Sequence, residues 1–303
     1  MKTITIIGGS GFVGKSYIDS FNRGILKKFK IKKVNIICRK PVWLLKEKLN
    51  FKNINIIKGD IGKLKALPRS DLYIYAAETT DLSNIKNFKI FLINSQRAID
   101  NFCNLIKKNK NNKVLYISSG VVYKYNRSDL IKINNLKGEK LYAYLKFYCE
   151  EKIKNLKKYK IKTSTARCFT FIGKWLPRNQ HFAIGNFIND GLYNKSIKVK
   201  STLRTFRSYM HSDDLVYWLT KIGLNSKLNT NVFDVGSNKP VEIRNLATMI
   251  SKIFGKKIKF RKIDSKMTDK YLPNIKKAKK ELGLTLTYNL KKSILLTINQ
   301  INE

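Results

Sequence analysis

The stretch KTITIIGGSGFVG, residues 2–14, decides how the rest of the chain is read. A mostly β-branched run goes straight into a cluster of glycines, and a helix-length segment follows. A buried strand, a tight turn and a helix account for that order. Gly8, Gly11 and Gly14 stand three apart, with Phe12 and Val13 filling two of the gaps. Glycine there lets backbone come close to a ligand, and the amides that open the helix can face a pyrophosphate. The spacing by itself also suits a plain strand–helix turn. A secretion signal fits less well, because the apolar run stops at Ile7.

The same rhythm continues outward. KKVNIIC, INIIKGD, DLYIYAA and KVLYISS are further short apolar runs, each separated by a helix-length segment. Repeated strand–helix–strand units imply an α/β fold, a doubly wound parallel sheet with helices on both faces. IKTSTARCF reads as a sixth strand and NTNVFDVGS as another. From about Phe171 the pattern breaks into glycines, a turn at Pro177 and short mixed segments. We therefore expect a dinucleotide-binding domain over 1–170 and a substrate-binding region over 171–303. A strand and a helix of the latter return to the core, and the tail from Ile243 onward is expected to be largely helical.

At 303 residues, 43% hydrophobic and 11% aromatic, the chain can build a substantial core. No apolar run approaches the roughly 20 residues needed to span a bilayer. Cys38, Cys103, Cys149 and Cys168 show neither paired nor metal-ligand spacing and read as reduced, cytoplasmic core residues. His181 likewise has no ligand partner at metal spacing, so no metal site is expected. A net charge of +42 raises the question of nucleic acid. Lysine is spread over every polar segment, however, instead of gathering in an arm or an aromatic-studded patch. That distribution argues against a specific nucleic-acid partner.

Several residues fall at the carboxyl ends of the expected strands, where ligands bind in such folds. The second strand ends in Cys38 and Arg39. A guanidinium suits a 2′-phosphate, which favours NADP over NAD, although Arg39 is also one basic residue among many. Asp60 and Ile61 follow the third strand, where the acid could meet an adenine amino group or cap the next helix. The small Ala76 and Ala77 end the fourth and would let a nicotinamide ribose lie close to the backbone. The fifth ends with the hydroxyls of Ser118 and Ser119.

LYAYLKFYCEE, residues 141–151, then holds Tyr142 and Lys146, four apart and on one face of a helix. A tyrosine near pKa ~10 is a poor base at neutral pH, and a nearby ammonium favours the phenolate. The spacing recurs at Tyr148/Lys152, Tyr217/Lys221 and Tyr288/Lys292. Only Tyr142/Lys146 follows a serine-tipped strand and could approach Ser119 across one cleft.

Taken in order, GGSGFVG, DLYIYAA, YISSGVVY, YAYLK and RSYMHSDDL resemble the extended short-chain dehydrogenase/reductases, the NAD-dependent epimerase/dehydratase group acting on nucleotide sugars. VGSNKPVEIRNLA and NIKKAKKELGL echo the family's closing segments. The resemblance implies a Rossmann-type domain, a homodimer built through a four-helix interface, and a nucleotide-diphosphate sugar as substrate. It also implies a triad of Ser119, Tyr142 and Lys146, with Asn94 as a fourth, structural or proton-relay member. Tyr142 would take a hydroxyl proton as C4 of the sugar gives hydride to the nicotinamide. Ser119 would hydrogen-bond the resulting carbonyl oxygen. Lys146 would bind the nicotinamide ribose and hold the tyrosine's pKa down. Arg207 matches a position that grips the substrate diphosphate.

Two positions depart from the family's pattern. Dehydratases follow the catalytic hydroxyl with an Asp-Glu pair, and here Gly120 and Val121 stand there, which disfavours a 4,6-dehydratase. Where epimerases often carry a substrate-contacting asparagine, this chain has Thr170. The expected activity is a nucleotide-sugar epimerase using NAD(P). An NADPH-dependent 4-ketoreductase and a non-catalytic nucleotide- or RNA-binding member remain as alternatives.

Overall fold

The computed structural model describes residues 2–46, 50–78, 85, 87–109, 112–126, 128, 136–263 and 267–302. The opening run forms strand β1 (Lys2–Ile7) and the glycine turn leads into helix α1 (Phe12–Asn22). Strands β2 (Ile31–Cys38), β3 (Ile54–Lys58), β4 (Leu72–Tyr75) and β5 (Lys113–Ser119) follow in step. Between them lie a short helix α2 (Val42–Leu45) and a long one, α3 (Phe88–Lys107). Helix α4 (Gly138–Asn155) precedes β6 (Lys162–Cys168).

After β6 the elements are short: β7 (Phe171–Ile172), α5 (Ala183–Tyr193), β8 (Ser196–Val199), β9 (Arg204–Arg207) and β10 (Met210–His211). Then come α6 (Ser212–Leu224), β11 (Asn231–Val235), β12 (Val241–Glu242) and α7 (Ile243–Phe254). The tail carries β13 (Lys257–Phe260), β14 (Thr268–Lys270), α8 (Lys276–Leu282) and α9 (Leu290–Asn302).

The central sheet has seven strands in the order β11-β6-β5-β4-β1-β2-β3. The pairs from β3 through to β6 are parallel. This is a Rossmann-type α/β sheet. Its strand order reverses between β1 and β4, and ligands in such sheets lie outside the carboxyl ends at that point. All four residues of β4 are buried, as expected of a strand covered on both faces. Tyr73, Tyr75, Tyr116 and Phe102 are among the largest fully buried side chains, with the rings of Tyr75 and Phe102 4.9 Å apart. Each such ring contributes roughly 1.5–3 kcal/mol of burial, which holds α3 and α4 against one face of the sheet.

The chain divides into two compact units, Met1–Cys168 with Val216–Asp234, and Phe169–Leu215 with Val235–Glu303. In the second, the tail is less helical than expected. Strand β13 pairs in parallel with β8, and β14 with β9. The alternation Lys257-Ile258-Lys259-Phe260 has the two-residue period of a strand, but the surrounding lysines blur it. Among the described residues no helix is long and apolar enough to cross a membrane.

Candidate active site

The turn from β1 into α1 contains two glycines, Gly8 and Gly14, that cannot be replaced without moving backbone. Gly8 has φ +93°, and a Cβ there would lie 2.4 Å from the carbonyl oxygen of Ala76. A Cβ on Gly14 would lie 2.2 Å from the Gly9 carbonyl oxygen. Gly11, the helix N-cap, is less constrained, since its Cβ would meet only the Gly8 oxygen at 3.5 Å. Gly9, outside the three-residue spacing, is the tighter position: its Cβ would fall 2.1 Å from Ile36 Cγ2. Gly11 supplies no side-chain cap and the first turn of α1 has no acid, so the helix presents an electropositive end beside β1. These features fit a dinucleotide pyrophosphate.

At the end of β5 the two serines part company, as successive residues of a strand must. Ser118 donates to Glu150 Oε1 at 2.6 Å, and Arg167 grips the same carboxylate at 3.0 and 2.7 Å. Ser119 accepts the Val121 N–H at 3.3 Å, and its hydroxyl stands by the Tyr142 phenol and favours its ionisation. Lys146, one turn along α4, is 4% exposed and donates to the Ile117 carbonyl at 2.8 Å. Its ammonium lies 5.3 Å from the centre of the Tyr142 ring. Ser119, Tyr142 and Lys146 thus come together at the carboxyl edge of the sheet.

Its electrostatics differ from the expectation in one respect. Burial pushes the Tyr142 phenol above its usual value; Lys146 and Ser119 pull it down, and Glu78 pushes it up again. The balance is a raised pKa, so Lys146 by itself does not make Tyr142 acidic. Burial works against the charge on Lys146, but Glu78 and Tyr142 outweigh it and hold the ammonium protonated. Glu78 forms a buried ion pair with Lys146 and accepts from Tyr116 and Cys149. Sequence reasoning does not find it. The only signal is an acid three residues past a fully buried strand.

The other tyrosine–lysine pairs serve packing. Tyr148 donates to Asp100 at 3.0 Å and Lys152 pairs with the same carboxylate at 2.7 Å, tying α4 to α3. Tyr217 lies under Lys28. Tyr288, which precedes α9, meets Lys292 in the first turn of that helix and His211 at its edge.

Of the remaining expected residues, Arg39 is exposed at the end of β2. Asp60 Oδ1 accepts the Gly62 N–H at 2.9 Å, closing a turn where a helix cap was the alternative reading. Ile61 packs its side chain into the core, and its carbonyl accepts from Asn101. Ala76 and Ala77 are half-buried beside the glycine turn. Asn94 lies exposed on α3 and accepts from Arg97 at 3.0 Å, so it is not gathered into the triad. In the second unit, Thr170 donates to the Ser208 carbonyl, and Arg207 pairs with Asp269 at 2.6 Å. His211 and Asp214 fix local backbone: the first accepts from Asp213, the second from Thr287 and Tyr288. All four cysteines are buried thiols outside any disulfide. Among the described residues no cluster could hold a metal ion.

Residues 4–236 match the profile of the NAD dependent epimerase/dehydratase family. No curated protein matches the chain in sequence. Solved structures share its fold at low identity. UDP-glucose 4-epimerase from Thermotoga maritima, solved with UDP-glucose, superposes with a TM-score of 0.78 at 17% identity, covering 99% of this chain and 98% of that one. The dTDP-glucose 4,6-dehydratase DesIV from Streptomyces venezuelae, with NAD bound, gives 0.80 at 15% identity over 99% and 97%. MoeE5, in complex with UDP-glucose and NAD, gives 0.75 at 16% identity over 99% and 98%.

Proposed function

The chain belongs to the NAD-dependent epimerase/dehydratase family, and from that premise we propose that it is an NAD(P)-dependent nucleotide-sugar epimerase working through a 4-keto sugar. The observation that carries this reading is Tyr142 next to Ser119, with the buried Lys146 ammonium 5.3 Å from its ring. We assign Gly8, Gly11, Phe12, Val13 and Gly14 to the cofactor's pyrophosphate. Arg39, Asp60 and Ile61 would border its adenosine, and Ala76, Ala77, Tyr142 and Lys146 its nicotinamide ribose. Asn94, paired with Arg97, would need to turn inward to join them. When bound, the nicotinamide supplies a hydride acceptor and donor.

Tyr142 takes the proton of the C4 hydroxyl and later returns it. Ser119 donates a hydrogen bond to that oxygen as it becomes a carbonyl, stabilising charge where it develops. Epimerisation follows when the hydride comes back to the opposite face of the sugar. The UDP-glucose in the Thermotoga maritima enzyme supports a nucleotide sugar as substrate. In the second unit, Thr170 would contact the sugar, and Arg207, released from Asp269, its diphosphate. Gly120 and the buried Val121 offer no acid–base group after Ser119, which disfavours the dehydratase chemistry named for DesIV. The exposed guanidinium of Arg39 favours a second reading, an NADPH-dependent 4-ketoreductase. We further propose a cytoplasmic homodimer.

The test is turnover of UDP- and dTDP-sugars with NAD or NADPH, in the wild type and in Tyr142→Phe. The variant should lose about 10²–10⁴-fold in rate while still binding the dinucleotide. Unchanged turnover would contradict the mechanism. An inactive wild type that binds structured RNA at physiological salt would favour the non-catalytic alternative.

A further inference from the structure

The segment after β4 brings a second buried charge to the triad. The Glu78 side chain is 10% exposed and that of Lys146 is 5% exposed, and the two form an ion pair. The carboxylate also accepts the Tyr116 hydroxyl, 3.0 Å from both oxygens, and the Cys149 thiol at 3.0 Å. Its donors come from β5, through Tyr116, and from α4, through Lys146 and Cys149. We propose that Glu78 is the counterion of Lys146 and a positioning residue of the triad, holding the ammonium between the Ile117 carbonyl and the ring of Tyr142. The inference rests on Tyr142 and Lys146 being the reacting pair, but its test needs no turnover.

Three observations carry it. A buried ammonium without a counterion is costly, and Glu78 is the carboxylate that reaches Lys146 among the described residues. A carboxylate taking three protein donors has little capacity left for a substrate, so a role as base or ligand contact is not what its surroundings provide. An ammonium has three donors, and here two are committed, to Glu78 and Ile117. One is left to meet a ligand hydroxyl. The lysine is thus fixed before any ligand arrives, which is how a reacting group is preorganised.

The pairing also sets the charge that Tyr142 faces. Lys146 from α4, Glu78 from the segment after β4, Tyr116 from β5 and Cys168 from β6 are titratable groups around it. Tyr116 is kept protonated by burial first, then by Cys149 and Glu78, and Cys149 by burial and then by Glu78. Glu78 and Lys146 together are neutral, so the phenol sits beside a cancelled pair instead of a lone cation. Removing the carboxylate's charge while keeping its shape should let Tyr142 ionise more readily.

The experiment is a phenolate absorbance titration of wild type minus Tyr142→Phe, and of Glu78→Gln minus Glu78→Gln/Tyr142→Phe. Subtraction isolates Tyr142 from the other tyrosines. The midpoint should fall by about one pH unit in the Glu78→Gln background. An unchanged or higher midpoint overturns the proposal. If Glu78→Gln unfolds too early to titrate, the stabilities of Glu78→Gln, Lys146→Met and the double variant decide. A double variant more stable than either single supports a counterion pair, and one no more stable than Glu78→Gln overturns it. A Tyr142→Phe enzyme that keeps its turnover alongside a lowered midpoint in Glu78→Gln would sink the catalytic assignment and leave the counterion standing.

Discussion

Tyr142 gains its chemistry from neighbours that pull in opposite directions. Burial and Glu78 keep the phenol protonated, while Lys146 and Ser119 favour the phenolate. If Tyr142 is the base we propose, it acts only when deprotonated, and kcat/KM should rise with pH through its ionisation in the free enzyme. Lys146→Ala removes the nearest cation and leaves Glu78 without its partner, and both changes raise that ionisation further. The rising limb of the pH profile should therefore move to higher pH in Lys146→Ala, and a limb that moves lower would show that Lys146 does not act on Tyr142. At this scale the sequence was partly legible. Ser119, Tyr142 and Lys146 stand out through a strand end and a helical spacing. Glu78 does not, because an isolated acid has no period, and its meaning comes from Lys146, Tyr116 and Cys149 being folded around it.

The elements were more legible than the residues, since strands buried on both faces leave a continuous apolar run. KVLYISS is strand β5 from end to end, and KTITII is β1. The failures have physical causes. The β13 and β14 strands are short and largely exposed, and they form by pairing with β8 and β9, which are far away in sequence. The glycine spacing pointed to Gly11 and passed over Gly9, because the demand on Gly9 is made by Ile36 of a neighbouring strand. The turn itself gives a sharp prediction. In Gly14→Ala the new methyl meets the carbonyl of Gly9 at 2.2 Å, and a backbone atom cannot move aside cheaply. The variant should lose about 1–3 kcal/mol of stability and bind NAD at least about tenfold more weakly. Denaturant unfolding and calorimetric titration measure the two losses, and wild-type NAD affinity in Gly14→Ala would remove the turn from the cofactor site.

For the whole molecule, the order of the sheet and the family match from residue 4 to 236 agree on a dinucleotide-binding architecture. The charge of +42 is carried by lysines over the polar segments and does not disturb that architecture. Its consequence is general attraction to polyanions, weakening as salt is added. The open choice is between a retained cofactor that is recycled and a consumed one that exchanges. An epimerase takes the hydride and gives it back, so its dinucleotide need never leave; a ketoreductase must release it, and Arg39 would then select NADPH. The most direct measurement is to denature the purified protein and identify what it releases by mass spectrometry, with calorimetric titration of any empty protein. Stoichiometric NAD is the result expected of the epimerase, and an empty protein that prefers NADPH points to the reductase. A protein that releases no dinucleotide and binds neither NAD nor NADP would contradict the account at its centre.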